Sequence, residues 1–96
     1  MIELGGNIKL DGFHTLDPPT MIVIKKMVGN YAKKINDTVM PFEELLLNLE
    51  QDGEKDFRLN ARLVAGEKVC DVNAQDCNLF FALDRALSKV MEDAQQ

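Results

Sequence analysis

The stretch "FRLNARLVAGEKVCDVNAQDCNLFFALDRALSKV", residues 57–90, changes its hydrophobic period once, from two to 3.6, and so announces two strands followed by a helix. Phe57, Leu59, Ala61, Leu63 and Ala65 alternate with Arg58, Asn60, Arg62 and Val64. After the turn signal AGEK, Cys70, Val72 and Ala74 alternate with Asp71 and Asn73. Asp76 or Asn78 then suits a helix N-cap. Stepping about 100° per residue from Leu79 gathers Phe80, Leu83, Ala86, Leu87, Val90, Met91 and Ala94 on one side, which must be the buried one. The opposite side holds Phe81, Asp84, Arg85, Ser88, Lys89 and Glu92, with Phe81, Arg85 and Lys89 in one i, i+4 row. Phe81 has two readings there: a side chain lying along the aliphatic part of Arg85, or a contact for a partner.

Working back toward the N-terminus, Leu45, Leu47 and Leu49 alternate with Leu46, Asn48 and Glu50, and the QDGEKD turn signal follows. This adds a strand to an antiparallel meander. A helix is predicted over about 19–36, where Met21, Ile24, Met27, Val28, Tyr31, Ala32 and Ile35 share one arc. Its other arc shows Ile22, Lys25, Lys26, Gly29 and Lys33, with Lys34 at the border. Gly29 is out of place inside a helix, and implies that another backbone comes close, either the second helix or a phosphate chain. From 2 to 10 the even positions Ile2, Leu4, Ile8 and Leu10 are apolar, which predicts one half-buried strand in which Gly5-Gly6 marks a bulge or a close approach.

The resulting fold class is α+β: a two-layer β-α-β-β-β-α sandwich, with both helices on one face of a four-stranded sheet. The 96 residues, 46% hydrophobic and 28% charged, suit one domain spanning 1–96. No apolar run approaches a bilayer span, and "MIELGGNIKL" lacks signal-peptide character, so a cytoplasmic chain without membrane contact is expected. Cys70 and Cys77 have no metal-ligand spacing, so no metal is expected. The single histidine, His14, is far in sequence from the single serine, Ser88, and no phosphate-binding motif is present. No catalytic residue, cofactor or small-molecule substrate is therefore expected, and the protein is read as not an enzyme.

The net charge of −5 argues against nonspecific nucleic-acid binding over the whole surface. Its distribution says something different, because between Asp17 and Asp37 there is no acidic residue, while Lys25, Lys26, Lys33 and Lys34 all fall there. The sheet face turned from the helices lacks aromatic residues, which disfavours an RNA-recognition motif.

The element order and the run 57–90, with Phe80, Ala82, Leu83, Asp84 and Lys89 at matching helix positions, resemble the short form of the ribosome hibernation-promoting factors. These are also called ribosome-associated inhibitors or sigma-54 modulation proteins of the S30EA family. The resemblance implies a translation inhibitor that binds small-subunit ribosomal RNA near the decoding region and acts by steric occlusion. Carried over by residue, it implies RNA contacts at Lys25, Lys26, Lys33 and Lys34 on the first helix and at Arg85 and Lys89 on the second. Phe81 is the candidate for stacking or partner contact. The alternative is a protein-interaction module, most simply a homodimer, built on exposed Phe81, Ile22 and Leu46 without RNA.

Overall fold

The computed structural model describes residues 2–39, 41–52 and 56–95. The strands are β1 (Ile2–Leu4), β2 (Ile8–Asp11), β3 (Glu44–Asp52), β4 (Asp56–Ala65) and β5 (Lys68–Asp76). Helix α1 (Pro18–Thr38) connects β2 to β3, and α2 (Leu79–Ala94) follows β5. The five strands form one mixed sheet in the order β1-β2-β3-β4-β5. Among the described strands only β2 and β3 run parallel, and that pairing requires the crossover that α1 provides. The turn expected from QDGEKD falls partly on residues 53–55, outside the described residues.

The expected four-stranded sheet is corrected to five strands. Gly5 and Gly6 take φ values of +65° and +85°, which only glycine adopts readily, and they turn the predicted first strand back on itself. Ile2 then lies opposite Leu10, and Leu4 opposite Ile8. These glycines make a hairpin rather than a bulge.

The core lies between the sheet and both helices. Strand residues Ile8, Leu10, Leu45, Leu47, Leu49, Leu59, Ala61, Leu63, Cys70 and Ala74 are buried, and they meet Ile24, Val28, Ala32 and Ile35 of α1 and seven residues of α2. Every buried position of β3 and β4 has the same parity, so one sheet face carries both helices. The residues of α2 largely follow the expected stripe. Phe80 leans outward at 36% exposure, however, and Ala82, which the wheel left aside, is fully buried. No buried polar side chain among the described residues lacks a hydrogen bond. Phe13 closes one end of the core with no exposed surface, just after Gly12, whose φ is +82°.

Candidate nucleic-acid interface

Helix α1 begins with Pro18-Pro19 in its first turn and is preceded by Asp17, whose carboxylate accepts a 2.7 Å hydrogen bond from the Thr20 hydroxyl. That bond holds the Asp17 carboxyl below its usual range. Within the helix, burying Ile24, Val28, Ala32 and Ile35 fixes which flank meets water. Lys25, Lys26, Lys33 and Lys34 are all exposed, and none of their ammonium groups makes an ion pair among the described residues. Ile22 stands beside them at 68% exposure.

The two helices meet at their solvent side through Tyr31, which faces Asp84 and Ser88 of α2. The Tyr31 hydroxyl donates to Asp84 Oδ1 at 2.7 Å. Donation to a carboxylate raises the phenol above its ordinary value, and partial burial adds to the shift. This contact orients α1. With Tyr31 pointing at α2, Lys25, Lys26, Gly29 and Lys33 lie about 120–160° round the helix from it, and Lys34 about 60°. Three of the four lysines therefore occupy the flank turned away from α2.

Helix α2 starts at Asn78, whose side chain accepts hydrogen bonds from the backbone N–H of Phe80 at 2.9 Å and of Phe81 at 3.2 Å. This cap was one of the two candidates in the sequence. The other, Asp76, instead ties the helix start to Arg85. Its Oδ1 accepts from the Asn78 N–H at 2.9 Å, and its Oδ2 meets Arg85 Nη2 at 3.1 Å. The Asn78 amide bond, joined by the Arg85 charge, holds the Asp76 carboxyl below its usual range, while partial burial works the other way.

Arg85 also donates from Nη1 to the Gln75 carbonyl at 3.2 Å, and Lys89 donates to the Asn73 carbonyl at 3.1 Å. Gln75 and Asn73 lie two apart on β5, the edge strand, so an i, i+4 pair on the helix spans an i, i+2 pair on the strand. Phe81, Asp84, Arg85, Ser88, Lys89 and Glu92 line a shallow depression of about 360 Å³. Phe81 is 64% exposed at its rim.

The structure thus brings Phe81, Arg85 and Lys89 together on α2 and Lys25, Lys26 and Lys33 together on α1, but the two groups do not line one groove between the helices. Arg85 and Lys89 reach toward the free edge of β5. Asp84 and Glu92 balance their charge within the same depression. The Tyr31–Asp84 link and the carbonyl anchors on β5 were not read from the sequence. A hint of the anchors lay in the wheel, which puts Arg85 and Lys89 about 100° and 140° from Asp84.

His14 sits in the exposed turn before α1, and Ser88 on α2 close to Tyr31. Cys70 is buried, which raises its thiol above the ordinary value, with the nearby Asp93 carboxylate adding to the effect. Among the described residues no three His, Cys, Asp or Glu side chains are grouped to hold a metal, and no helix is long and apolar enough to cross a membrane.

No known family model matches the sequence, and no curated protein does. Solved structures do. The Thermus thermophilus Protein Y N-terminal domain superposes with a TM-score of 0.69 at 18% identity, over 93% of this chain and 92% of that one. A ribosomal subunit interface protein from Coxiella burnetii gives a TM-score of 0.58 at 10% identity, over 92% of this chain and 90% of that one. The resemblance read from the element order and from residues 57–90 is borne out at the level of the fold.

Proposed function

We propose that this protein is a ribosome-associated factor of the hibernation type, which binds small-subunit ribosomal RNA near the decoding region and inhibits translation by occupying space. The observation that carries the reading is the α1 face. Among the described residues, four exposed lysines without carboxylate partners stand on a helix that has no acidic residue before Asp37. Ammonium groups already paired within the protein would have to give up those partners to bind phosphate, and these do not. The fold, shared with a ribosomal subunit interface protein, supports the same reading. Arg85 and Lys89 contribute at the edge of β5, where each keeps protons beyond those given to carbonyls. Phe81 offers an exposed ring for a base or a partner side chain.

Sedimentation through a sucrose gradient with subunits and intact ribosomes tests this. The protein is expected to migrate with the small subunit at low salt and to be released as salt rises. Reversing Lys25, Lys26 and Lys33 to glutamate should abolish co-migration. A wild-type protein that stays at the top of the gradient at low salt rules the reading out.

The homodimer reading meets a geometric obstacle. Ile22 lies about 180° round α1 from Tyr31, Phe81 is on α2, and Leu46 lies on the opposite face of the sheet among Asn48, Asn60, Arg62 and Asp71. These three residues do not share one surface.

A further inference from the structure

The exposed flank of α1 has a gap at its centre. Gly29 is flanked by Lys25 at i−4, Lys26 at i−3 and Lys33 at i+4, all within one helical turn. Glycine is the worst helix former after proline. Two reasons that ordinarily keep one inside a helix are absent here. Its φ is not positive, and a Cβ built on it would meet nothing within 4 Å. Side chains on a helix lean toward its N-terminus, so Lys33 is the residue best placed to cover the gap, yet the space remains open. Neither α2 nor any other described part of the chain fills it.

We infer that Gly29 is a seat for the sugar–phosphate backbone of an RNA strand crossing α1. The inference rests on the RNA-binding reading above and adds the point of closest approach. A strand laid across Gly29 has one lysine turn on each side. Its phosphates can meet the ammonium groups of Lys25 and Lys26 on one bank and of Lys33 on the other. The absent Cβ lets the ribose come down onto the helix backbone, so the lysine stems need not extend fully to straddle it. Ile22, one further turn back on the same stripe and 68% exposed, gives the sugar an apolar neighbour. The chemistry fits a polyanion of regular charge spacing, because the flank carries positive charge on both banks and no hydrogen-bonding side chain at its centre.

The test compares Gly29→Ala, Gly29→Gln and, as a control elsewhere on the same helix, Asn30→Gln. Each is titrated against purified small ribosomal subunits and against their protein-free RNA at fixed salt, and thermal melting confirms the fold. Both Gly29 variants should melt at or above the wild-type temperature. Gly29→Gln should nevertheless bind about tenfold more weakly, the scale of a lost phosphate contact, with Gly29→Ala between it and the wild type. Asn30→Gln should stay within about twofold, a change too small to count as a lost contact. Wild-type binding that Gly29→Gln leaves within twofold overturns the inference alone. Absence of wild-type binding overturns the reading of function with it. A penalty seen on intact subunits but not on protein-free RNA means that a ribosomal protein fills the gap, and also overturns the inference.

Discussion

Two glycine-to-alanine substitutions in this chain should shift stability in opposite directions. At Gly12 the φ of +82° costs an alanine about 1–2 kcal/mol, since its Cβ crowds the following carbonyl. The new methyl would also run into the Leu49 carbonyl oxygen, closer than real Cβ atoms come, and crowd its carbon. Relief requires the end of β2 to part from β3, where Asp11 opposes Asn48, and threatens the burial of Phe13. Loosening that ring and the final ladder bonds adds roughly 2 kcal/mol or more. The sum is at least about 3 kcal/mol, a large share of the 5–15 kcal/mol a small domain has. At Gly29 the helix geometry suits alanine and space is open, so Gly29→Ala should gain about 0.8–1 kcal/mol. For a domain of this size those values mean a melting temperature lower by at least about 12 °C at Gly12, and higher by about 3–8 °C at Gly29. Circular dichroism melts and urea titrations read both. A Gly12→Ala protein melting within about 2 °C of wild type, or a Gly29→Ala protein melting below it, refutes the reasoning.

Two further outcomes follow from the α2–β5 contacts. Replacing both Arg85 and Lys89 by alanine should cost the fold little, because both are exposed side chains whose bonds to β5 and Asp76 are made at the rim of the protein. It should, however, bare the β5 edge and give concentration-dependent association by strand addition, seen in light scattering; a double variant still monomeric at high concentration argues against a guarding role. Asp76 supplies a pH dependence with a definite sign. Its folded-state pKa is lowered, so its contribution is fully present above the ordinary aspartate value and is lost as pH falls through the folded value. Asp76→Asn should therefore lower the melting temperature at pH 7, and the gap to wild type should close in acid; a gap that is constant down to pH 2 contradicts this.

Much of the fold was open to sequence reasoning because one sheet face is buried. A strand with one wet face writes its parity into the sequence, as β3 does with Leu45, Leu47 and Leu49. The first strand shows where parity stops informing. In the β1–β2 hairpin the partners Ile2 and Leu10, and Leu4 and Ile8, are all even-numbered, so the alternation continues unbroken through the turn. A single strand and this hairpin look identical by period, and only Gly5-Gly6 distinguishes them. The site was legible to a smaller extent. A helical wheel says which residues leave the core, and it placed Lys25, Lys26, Lys33, Phe81, Arg85 and Lys89 in solvent correctly. It does not say what lies beside the helix. That Arg85 and Lys89 would find the carbonyls of Gln75 and Asn73 depends on β5 being an edge strand, and hence on the order of all five strands.

The net charge of −5 loses its force as an objection to RNA binding once the charges have positions. Coulomb interactions at physiological salt decay over about 8 Å. The molecule measures 37 × 23 × 18 Å, so even its thinnest direction exceeds two such lengths. Carboxylates on the open sheet face, such as Glu50 and Asp71, therefore do little to the potential at the outer flank of α1. Glu50 is further offset by Arg58 3.8 Å away. What an approaching phosphate meets is the local set of Lys25, Lys26 and Lys33; no carboxylate of α1 lies within a turn of Lys25 or Lys26, while Asp37 stands one turn beyond Lys33. The α2 surface behaves differently, because Asp84 and Glu92 stand within the same depression as Arg85 and Lys89, well inside one screening length. Salt dependence should accordingly report α1 above all: removing Lys25 or Lys26 lowers the slope of log affinity against log salt by about one, whereas Arg85→Ala and Lys89→Ala change it less. Equal slope changes from the two helices would mean that the α2 cations leave β5 on binding, and that the carbonyl contacts are a resting position instead of a fixed one.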